Sequence, residues 1–199
     1  METIFDVKNT NFHPVLKDIE NMFWFFWLSI RTLSDYDIRN LLKQKNNTQE
    51  GYLGFNEMLD KFDEATEIQI EIGQSSTTSN LNILPKMIFT GRVIAILVYE
   101  YLSVSNYFSE IKNSLEFIFL KHIRNGSAHN NKFDFKYKFG SKKGQWMIDE
   151  TEKIEWGGLI ISRELQDKVV FNDFISVSQV FLLAKHFSDK LTLIDTQTN

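Results

Sequence analysis

The stretch LEFIFLKHIRNGSAH, residues 115 to 129, decides how the rest of the chain is interpreted. Hydrophobic side chains recur at three- and four-residue spacing through its first part, which predicts one face of an α-helix. Its second part places Arg124, Asn125, Gly126 and His129 within a few positions of one another. The stretch therefore predicts a core helix that ends in a small group of polar and charged side chains.

Four further segments show helical periodicity, and together with this helix they predict a mainly α protein with a four-helix bundle core. The predicted helices cover about residues 14–45, 55–71, 85–102, 105–126 and 172–193. In the second of them, acidic residues line the side opposite the apolar one, which favours a solvated face over a metal or acid–base site. Ile68, Ile70 and Ile72 alternate there, so a short strand is the alternative.

After residue 129 the hydrophobic residues recur at every second position instead of every third or fourth. This change predicts a small antiparallel β insertion over about residues 133–171, before the last helix. Every second residue from position 133 to 139 is aromatic, and the intervening residues are polar, which is the pattern of a strand. Gly140 and Gly144 bracket a turn, and further short apolar runs follow at 159–161 and 169–171. The length favours a single domain over residues 1–199.

Composition and cysteine content narrow the class of protein. A hydrophobic fraction of 43% and a charged fraction of 24% are typical of a folded globular chain. The absence of cysteine excludes disulfides and thiolate metal sites. No signal-peptide pattern opens the chain, and the apolar runs at 22–28 and 93–99 are shorter than the roughly 20 residues of a spanning helix. We therefore expect a cytoplasmic protein without membrane association.

Charge is distributed unevenly. The segment 121–143 holds seven Lys or Arg against one acidic residue, a net charge of +6, so the remainder carries −10 of the total of −4. Such asymmetry creates a local positive field, although a merely solvated lysine-rich hairpin is the alternative. Lysines in this segment are expected to contact backbone phosphates, which position nucleic acid without reading its sequence. These lysines are Lys121, Lys132, Lys136 and Lys138.

The spacing of the motif sets what its side chains can reach. On a continuous helix, residues five apart diverge by about 140°, whereas Asn125 and His129, four apart, share a face. Gly126 is expected to bend or end the helix and to let Arg124 approach the imidazole. The alternative is an ordinary helix terminus, in which Arg124 and His129 complement the helix dipole and Asn125-Gly126 is a stop signal. His122 lies in the same segment and could assist with substrate, but a histidine at a helix end is expected to be solvated.

The residue types of the motif suit cleavage of RNA. Histidine exchanges a proton near neutral pH, arginine presents a fork that matches phosphate oxygens, and asparagine can orient a partner or donate to an oxyanion. Together they could activate a ribose 2′-hydroxyl toward its own phosphodiester, which requires RNA. No cluster of side chains has the spacing of metal ligands, so we predict neither a metal nor a cofactor.

Residues 124–129, RNGSAH, resemble the R-x4-6-H signature of the HEPN superfamily, whose pattern has a polar residue, often asparagine, directly after the arginine. The preceding apolar helix and the predicted later helix are also similar to that family. The run that begins Trp156-Gly157-Gly158 resembles β insertions of some bacterial members. The resemblance implies a HEPN-like four-helix bundle core.

The same resemblance implies a function. Members are metal-independent endoribonucleases, often toxins or antiviral defence effectors, that act as homodimers with two motifs in one cleft and leave 2′,3′-cyclic phosphate ends. By this resemblance Arg124 stabilises the phosphate, His129 activates the 2′-hydroxyl and Asn125 orients or polarises. An antitoxin or a defence-complex protein is the expected partner besides RNA. Some members do not cleave RNA, so a non-catalytic nucleotide-binding, RNA-binding or protein-interaction module is the alternative. An interaction protein whose basic hairpin docks on an acidic surface is a third possibility.

Overall fold

The computed structural model describes residues 11–34, 52–58, 65–71, 83–138 and 140–198. In these ranges the chain is mainly helical, with a small antiparallel two-stranded sheet before the last helix. The helices are α1 (Lys17–Ser34), α2 (Ile83–Val104), α3 (Phe108–Ile111), α4 (Leu115–Ala128) and α5 (Val177–Thr198). The strands are β1 (Tyr52–Met58), β2 (Ala65–Glu71), β3 (Ile154–Trp156) and β4 (Leu159–Ile161).

Residues 1–199, predicted as a single domain, divide into two compact units. One unit combines Met1–Phe25 with Leu84–Asn199, and the other is Phe26–Ile83. The second unit contains β1 and β2, which pair antiparallel along their whole length. The helix predicted over 55–71 is therefore wrong, because these two segments satisfy their backbone groups across strands. The alternating isoleucines near position 70 were the sequence signal for this strand.

The other helices occur where they were predicted, with different ends. The predicted extension of α1 to residue 45 lies outside the described residues. The helix predicted over 105–126 is divided into α3 and α4, because the Ser114 hydroxyl accepts a hydrogen bond from the Phe117 N–H (3.3 Å) and begins a new helix. The last helix begins at Val177 rather than at 172. Ser176 and Gln179 exchange side-chain-to-backbone hydrogen bonds there, which is a capping box.

The core of the first unit is built from α1, α2, α4, α5 and the insertion. On α4, Phe119, Leu120 and Ile123 are fully buried. The Phe23 ring of α1 stacks on the Phe181 ring of α5, with centroids 3.7 Å apart. Burying a side chain of this size stabilises the fold by about 1.5–3 kcal/mol. The aromatic block at 22–28 therefore contributes to the core through Phe23.

Helix α2 is the most apolar of the described helices. Its segment Leu84–Val104 is the one stretch in the described ranges that is long and apolar enough to cross a membrane by length and composition. Core helices of soluble proteins have the same composition. Four of its residues are fully buried against the rest of the protein: Ile94, Ala95, Val98 and Leu102. The helix therefore contributes one buried face to the core, whereas Leu84, Phe89 and Val104 are exposed.

The insertion between α4 and α5 contains less regular strand than predicted. β3 and β4 form a hairpin, as the apolar run at 159–161 predicted. The strand predicted from 133 to 139 is not formed over its described residues, because the segment changes its pairing partner. Phe133 N–H donates to the Lys168 carbonyl (2.9 Å), whereas Tyr137 N–H donates to the Gln145 carbonyl (3.0 Å). The predicted alternation nevertheless holds in part, because Phe133 and Phe135 are buried and Lys136 is exposed.

Candidate functional site

Helix α4 continues through Gly126 and ends at Ala128, so the predicted bend or stop at the glycine is wrong. The His129 N–H donates to the carbonyls of Asn125 (3.0 Å) and Gly126 (3.2 Å) and closes the last turn. A Cβ atom at position 126 would lie 2.4 Å from Cγ2 of Val170 and 3.2 Å from the carbonyl oxygen of Lys132. Glycine therefore fits this position because the insertion packs directly on the helix backbone, and a larger residue would force Val170 to shift.

Contacts from two directions fix the end of α4. From α2, the Arg92 Nε donates to the Ser127 carbonyl (2.7 Å) and satisfies one of the carbonyls left open at a helix C-terminus. Past His129, the Asn131 amide pairs with the backbone of Phe171 through two hydrogen bonds of 3.1 and 2.9 Å. The position of His129 therefore follows from packed neighbours on both sides.

The exposed His129 side chain lies in a cavity of about 320 Å³, here called the His129 cavity. This cavity is lined by Asn125, His129, Asp134, Lys136, Tyr137, Lys138 and Met147. The four-residue spacing of Asn125 and His129 predicted their shared face. The structure thus brings together two of the three residues assigned to catalysis and two of the four predicted lysines.

A carboxylate moderates the charge of the His129 cavity. Burial favours a higher pKa for Asp134, but the hydrogen bonds from the Lys138 ammonium and from the Lys136 N–H outweigh it, so the pKa lies below its ordinary value. Asp134 Oδ2 is 2.9 Å from Lys138 Nζ. Lys136 Nζ lies 4.7 Å from the centre of the Trp146 ring, which also contacts Arg163. Lys138 is thus neutralised locally, whereas Lys136 packs on an aromatic face.

Arg124 extends to a different side of α4, toward α2. Its Nη2 is 2.7 Å from Glu100 Oε1, and its guanidinium carbon lies 5.3 Å from the centre of the Tyr99 ring. The Nη1 contact with Asn125 Oδ1, at 3.5 Å, is at the long limit of a hydrogen bond. Arg124 Nε is buried without a hydrogen-bond partner among the described residues. The guanidinium is therefore held by the ion pair with Glu100, the contact with the Tyr99 ring and a long hydrogen bond to Asn125.

Arg124 does not line the His129 cavity. The predicted approach of its guanidinium to the imidazole depended on a bend at Gly126, and α4 is continuous there. On such a helix the two residues diverge by about 140°. Within one chain, Arg124 and His129 therefore lie on different sides of the same helix, while Asn125 contacts the guanidinium and lines the His129 cavity.

A second cavity of about 510 Å³, here called the His122 cavity, shares Asn125, Tyr137 and Met147 with the first. The remaining residues that line it are Lys112, Asn113, Ile118, Lys121, His122 and Glu152. The predicted phosphate contact Lys121 therefore lies in this second cavity. Lys132, the fourth predicted lysine, is exposed and lines neither cavity.

His122 is buried, not solvated as predicted, with 6% of its surface exposed. Its ring packs edge-to-face on Phe135 with centroids 5.4 Å apart. Burial, reinforced by the charge of Lys121, lowers the pKa of His122 to about 4, so the imidazole is neutral at physiological pH. Its Nδ1 has no hydrogen-bond partner in the described part of the chain. Helical periodicity placed His122 next to Ile123 and one turn from Phe119, and this signal could have predicted its burial.

Neither a metal site in the described ranges nor a similarity to a known protein assigns a function to this site. In the described ranges, no group of three or more His, Cys, Asp or Glu side chains is placed to hold a metal ion. No protein-family model, curated protein or solved structure matches the chain. The functional argument therefore rests on Arg124 and on the two cavities.

Proposed function

We propose that the chain is a metal-independent endoribonuclease of the HEPN type, with His129 as its catalytic base. One observation carries the proposal: an exposed imidazole at the end of a core helix lies in one cavity with the Asn125 amide and the basic segment that contains Lys136. A HEPN-like four-helix core, formed by α1, α2, α4 and α5, belongs to the same proposal.

In the proposed reaction, His129 takes the proton of a ribose 2′-hydroxyl. The 2′-oxygen then forms a bond to the adjacent phosphorus, the bond from phosphorus to the 5′-oxygen breaks, and solvent protonates that oxygen. The Asn125 amide orients the imidazole or donates to a phosphate oxygen, while Lys136 and Lys138 lie near neighbouring phosphates. The products carry 2′,3′-cyclic phosphate and 5′-hydroxyl ends, and DNA is not cleaved because it lacks the nucleophile.

Arg124 needs a partner beyond its own chain to join this reaction. Its buried Nε lacks a partner in the described structure, and leaving such a donor unpaired costs about 1–3 kcal/mol. Glu100, its ion-pair partner, is 46% exposed, so a phosphate can displace the carboxylate. The resemblance implies a homodimer, in which Arg124 and His129 of two copies face one cleft and together contact the phosphate.

The biological setting in this proposal is a cytoplasmic toxin or an antiviral defence effector. An active ribonuclease of this kind requires restraint in its own cell, so a neutralising antitoxin or a defence-complex protein is the proposed partner. Expression in cells with the His129→Ala variant as control tests this setting. Growth arrest with intact His129 and normal growth with the variant is the expected result.

Incubation of the purified protein with labelled RNA in excess EDTA tests the activity. His129→Ala is expected to lower cleavage at least about a hundredfold, the usual contribution of a general base, and Arg124→Ala is expected to abolish it as well. The half-exposed His186 and the exposed Lys168 lie outside both cavities, so His186→Ala and Lys168→Ala are matched controls that keep activity. Cleavage that survives His129→Ala would refute the proposal.

A non-catalytic RNA-binding or protein-interaction module is the second candidate. The observation that favours it is the ion pair between Arg124 and Glu100, because a paired arginine on another side of the helix is unlike an assembled active site. RNA that binds but remains intact in the same assay would support this module. Absence of any RNA interaction would instead support a protein whose basic insertion docks on an acidic surface.

A further inference from the structure

The His122 cavity lies beside the proposed reaction centre and has a suitable size for a small ligand. Its volume of about 510 Å³ is within the roughly 300–1,000 Å³ of small-molecule sites. Asn125, Tyr137 and Met147 line both cavities. A ligand in the His122 cavity is therefore adjacent to whatever lies against His129.

The polar groups of this cavity are of two kinds. His122 is buried and neutral, so it offers hydrogen bonds but no charge. Asn113 and Asn125 add amides, which offer donors and acceptors in the pattern that reads the edge of a base. Tyr137 adds a ring with 37% of its surface exposed, and aromatic rings of this kind stack on bases.

The charged groups suit a phosphate. Lys112 and Lys121 line the cavity, and within the described part of the chain neither forms an ion pair. Glu152 also lines it, but its Oε2 accepts a hydrogen bond from the Asp149 N–H (3.0 Å). The lining therefore has two cationic side chains against one carboxylate, and the two lysines are available to a ligand oxyanion.

We infer that the His122 cavity binds one nucleotide unit of an RNA strand, with the base edge at His122 and the phosphate at Lys112 and Lys121. This inference rests on the proposed function, because the nucleotide is the neighbour of the linkage held at His129. The neutral imidazole reads the base and the lysines hold the backbone. The cavity thus gives the nuclease a preference for the base beside the cleaved linkage.

Calorimetric titration of the whole protein with the four nucleoside 5′-monophosphates tests the inference. One nucleotide is expected to bind at least about fivefold more tightly than the others. His122→Phe keeps an aromatic ring against Phe135 and is expected to reduce this preference to within about twofold. Lys112→Ala is expected to weaken all four about fivefold, whereas Lys168→Ala, outside the cavity, leaves them unchanged. Absence of saturable binding, or a preference unchanged by His122→Phe, would overturn the inference.

Asn113→Ala provides a second test if His122→Phe fails to fold, since Asn113 is exposed. It too is expected to reduce the base preference, and an unchanged preference would count against the site. A dinucleotide with 2′-deoxyribose at its first position cannot be cleaved. Its affinity distinguishes a site for a nucleotide within an RNA strand from a site for a free mononucleotide. Binding at least tenfold tighter than the monophosphate places the site on an RNA strand, whereas equal affinity would overturn that placement.

Failure of the inference and failure of the nuclease proposal give different results. Nucleotide binding that depends on His122 and Lys112, in a protein that does not cleave RNA, would refute the nuclease alone. Cleavage that depends on His129, with nucleotide affinity unchanged in the His122 and Lys112 variants, would refute the nucleotide site alone.

Discussion

The two sides of α4 differ in what their charged and polar side chains contact within one chain. On the side that faces α2, Arg124 forms an ion pair with Glu100 and contacts Tyr99. On the side that faces the insertion, Asn125 and His129 line open cavities with lysines in their walls. Residues adjacent in sequence thus belong to a paired side and an open side. A motif that is continuous in the sequence of a helix can thus place its side chains in two different environments.

The largest expected effect is on the pH dependence of stability, and it tests whether the His122 imidazole on the open side is buried and neutral. The unfolded chain binds a proton at His122 near pH 6.5, whereas the native state binds it only near pH 4. Stability should therefore fall as the pH is lowered from about 6.5 to about 4, by on the order of 3 kcal/mol from this residue. Urea unfolding of the wild type and of His122→Gln between pH 7 and pH 4.5 measures the difference.

The difference between the two proteins isolates His122 from the other titrating groups of its cavity, Lys112, Lys121 and Glu152. Lys168→Gln is the matched control, because Lys168 is exposed and lines neither cavity, and it should keep the wild-type pH profile. Parallel profiles for the wild type and His122→Gln would contradict the burial of a neutral imidazole on the open side.

The next largest effect is the loss of stability expected when the close contact between Gly126 and Val170 is disturbed. Gly126→Ala introduces a Cβ 2.4 Å from Val170 Cγ2, and overpacking of this kind costs about 1–3 kcal/mol. Thermal or urea unfolding measures the loss. Val170→Ala in the same chain removes the clashing methyl group, so the double variant should lose less than the sum of the two single changes. Unchanged stability of Gly126→Ala would show that the insertion can move away from α4.

A smaller effect separates the lysines of the His129 cavity from the one outside it. Lys136→Gln with Lys138→Gln is expected to weaken single-stranded RNA binding about tenfold, and to reduce the slope of log affinity against log salt by about 0.7 for each lost phosphate contact. Lys132→Gln, outside both cavities, should change affinity less than about twofold. Equal losses from Lys132→Gln would mean that the charge of the segment matters rather than its position.

The smallest expected effect comes from breaking the ion pair between Arg124 and Glu100. Glu100→Gln removes the carboxylate from Arg124 and, for a partly exposed ion pair, should cost less than about 1 kcal/mol of stability. The freed guanidinium should raise RNA affinity or cleavage a few-fold. Glu155→Gln, an exposed carboxylate of β3 that lines neither cavity, is the control. A decrease in RNA binding with Glu100→Gln would assign Arg124 a purely structural role.

Local patterns in the sequence predicted the features that depend on local geometry. Helical periodicity identified α4, and the four-residue spacing predicted that Asn125 and His129 share a face. The run Ser176 to Gln179 also contained a capping signal for α5. The prediction overlooked this signal and began the helix at residue 172. The helix–strand ambiguity near position 70 was visible as alternation, although the helical alternative was preferred and was wrong.

The features that could not be predicted depend on residues far apart in the chain. Gly126 had the expected conformational freedom, but its role comes from the approach of Val170. The ion pair of Arg124 comes from Glu100, on a different helix. The ring that packs on His122 comes from Phe135 of the insertion, although helical periodicity could have predicted the burial itself. None of these contacts leaves a periodic pattern, so the motif could be identified but the partners of its side chains could not.

The anchoring of the α4 end has a consequence for ligand recognition. Because Arg92 and Asn131 hold this end from two directions, His129 stands on backbone that is already ordered before anything binds. Fixing one such side chain costs about 0.5–1.5 kcal/mol, whereas ordering a mobile loop costs roughly 1–2 kcal/mol for each residue. In the proposed nuclease, selectivity at the His129 cavity would therefore come from fit to a preorganised shape rather than from closure around the ligand.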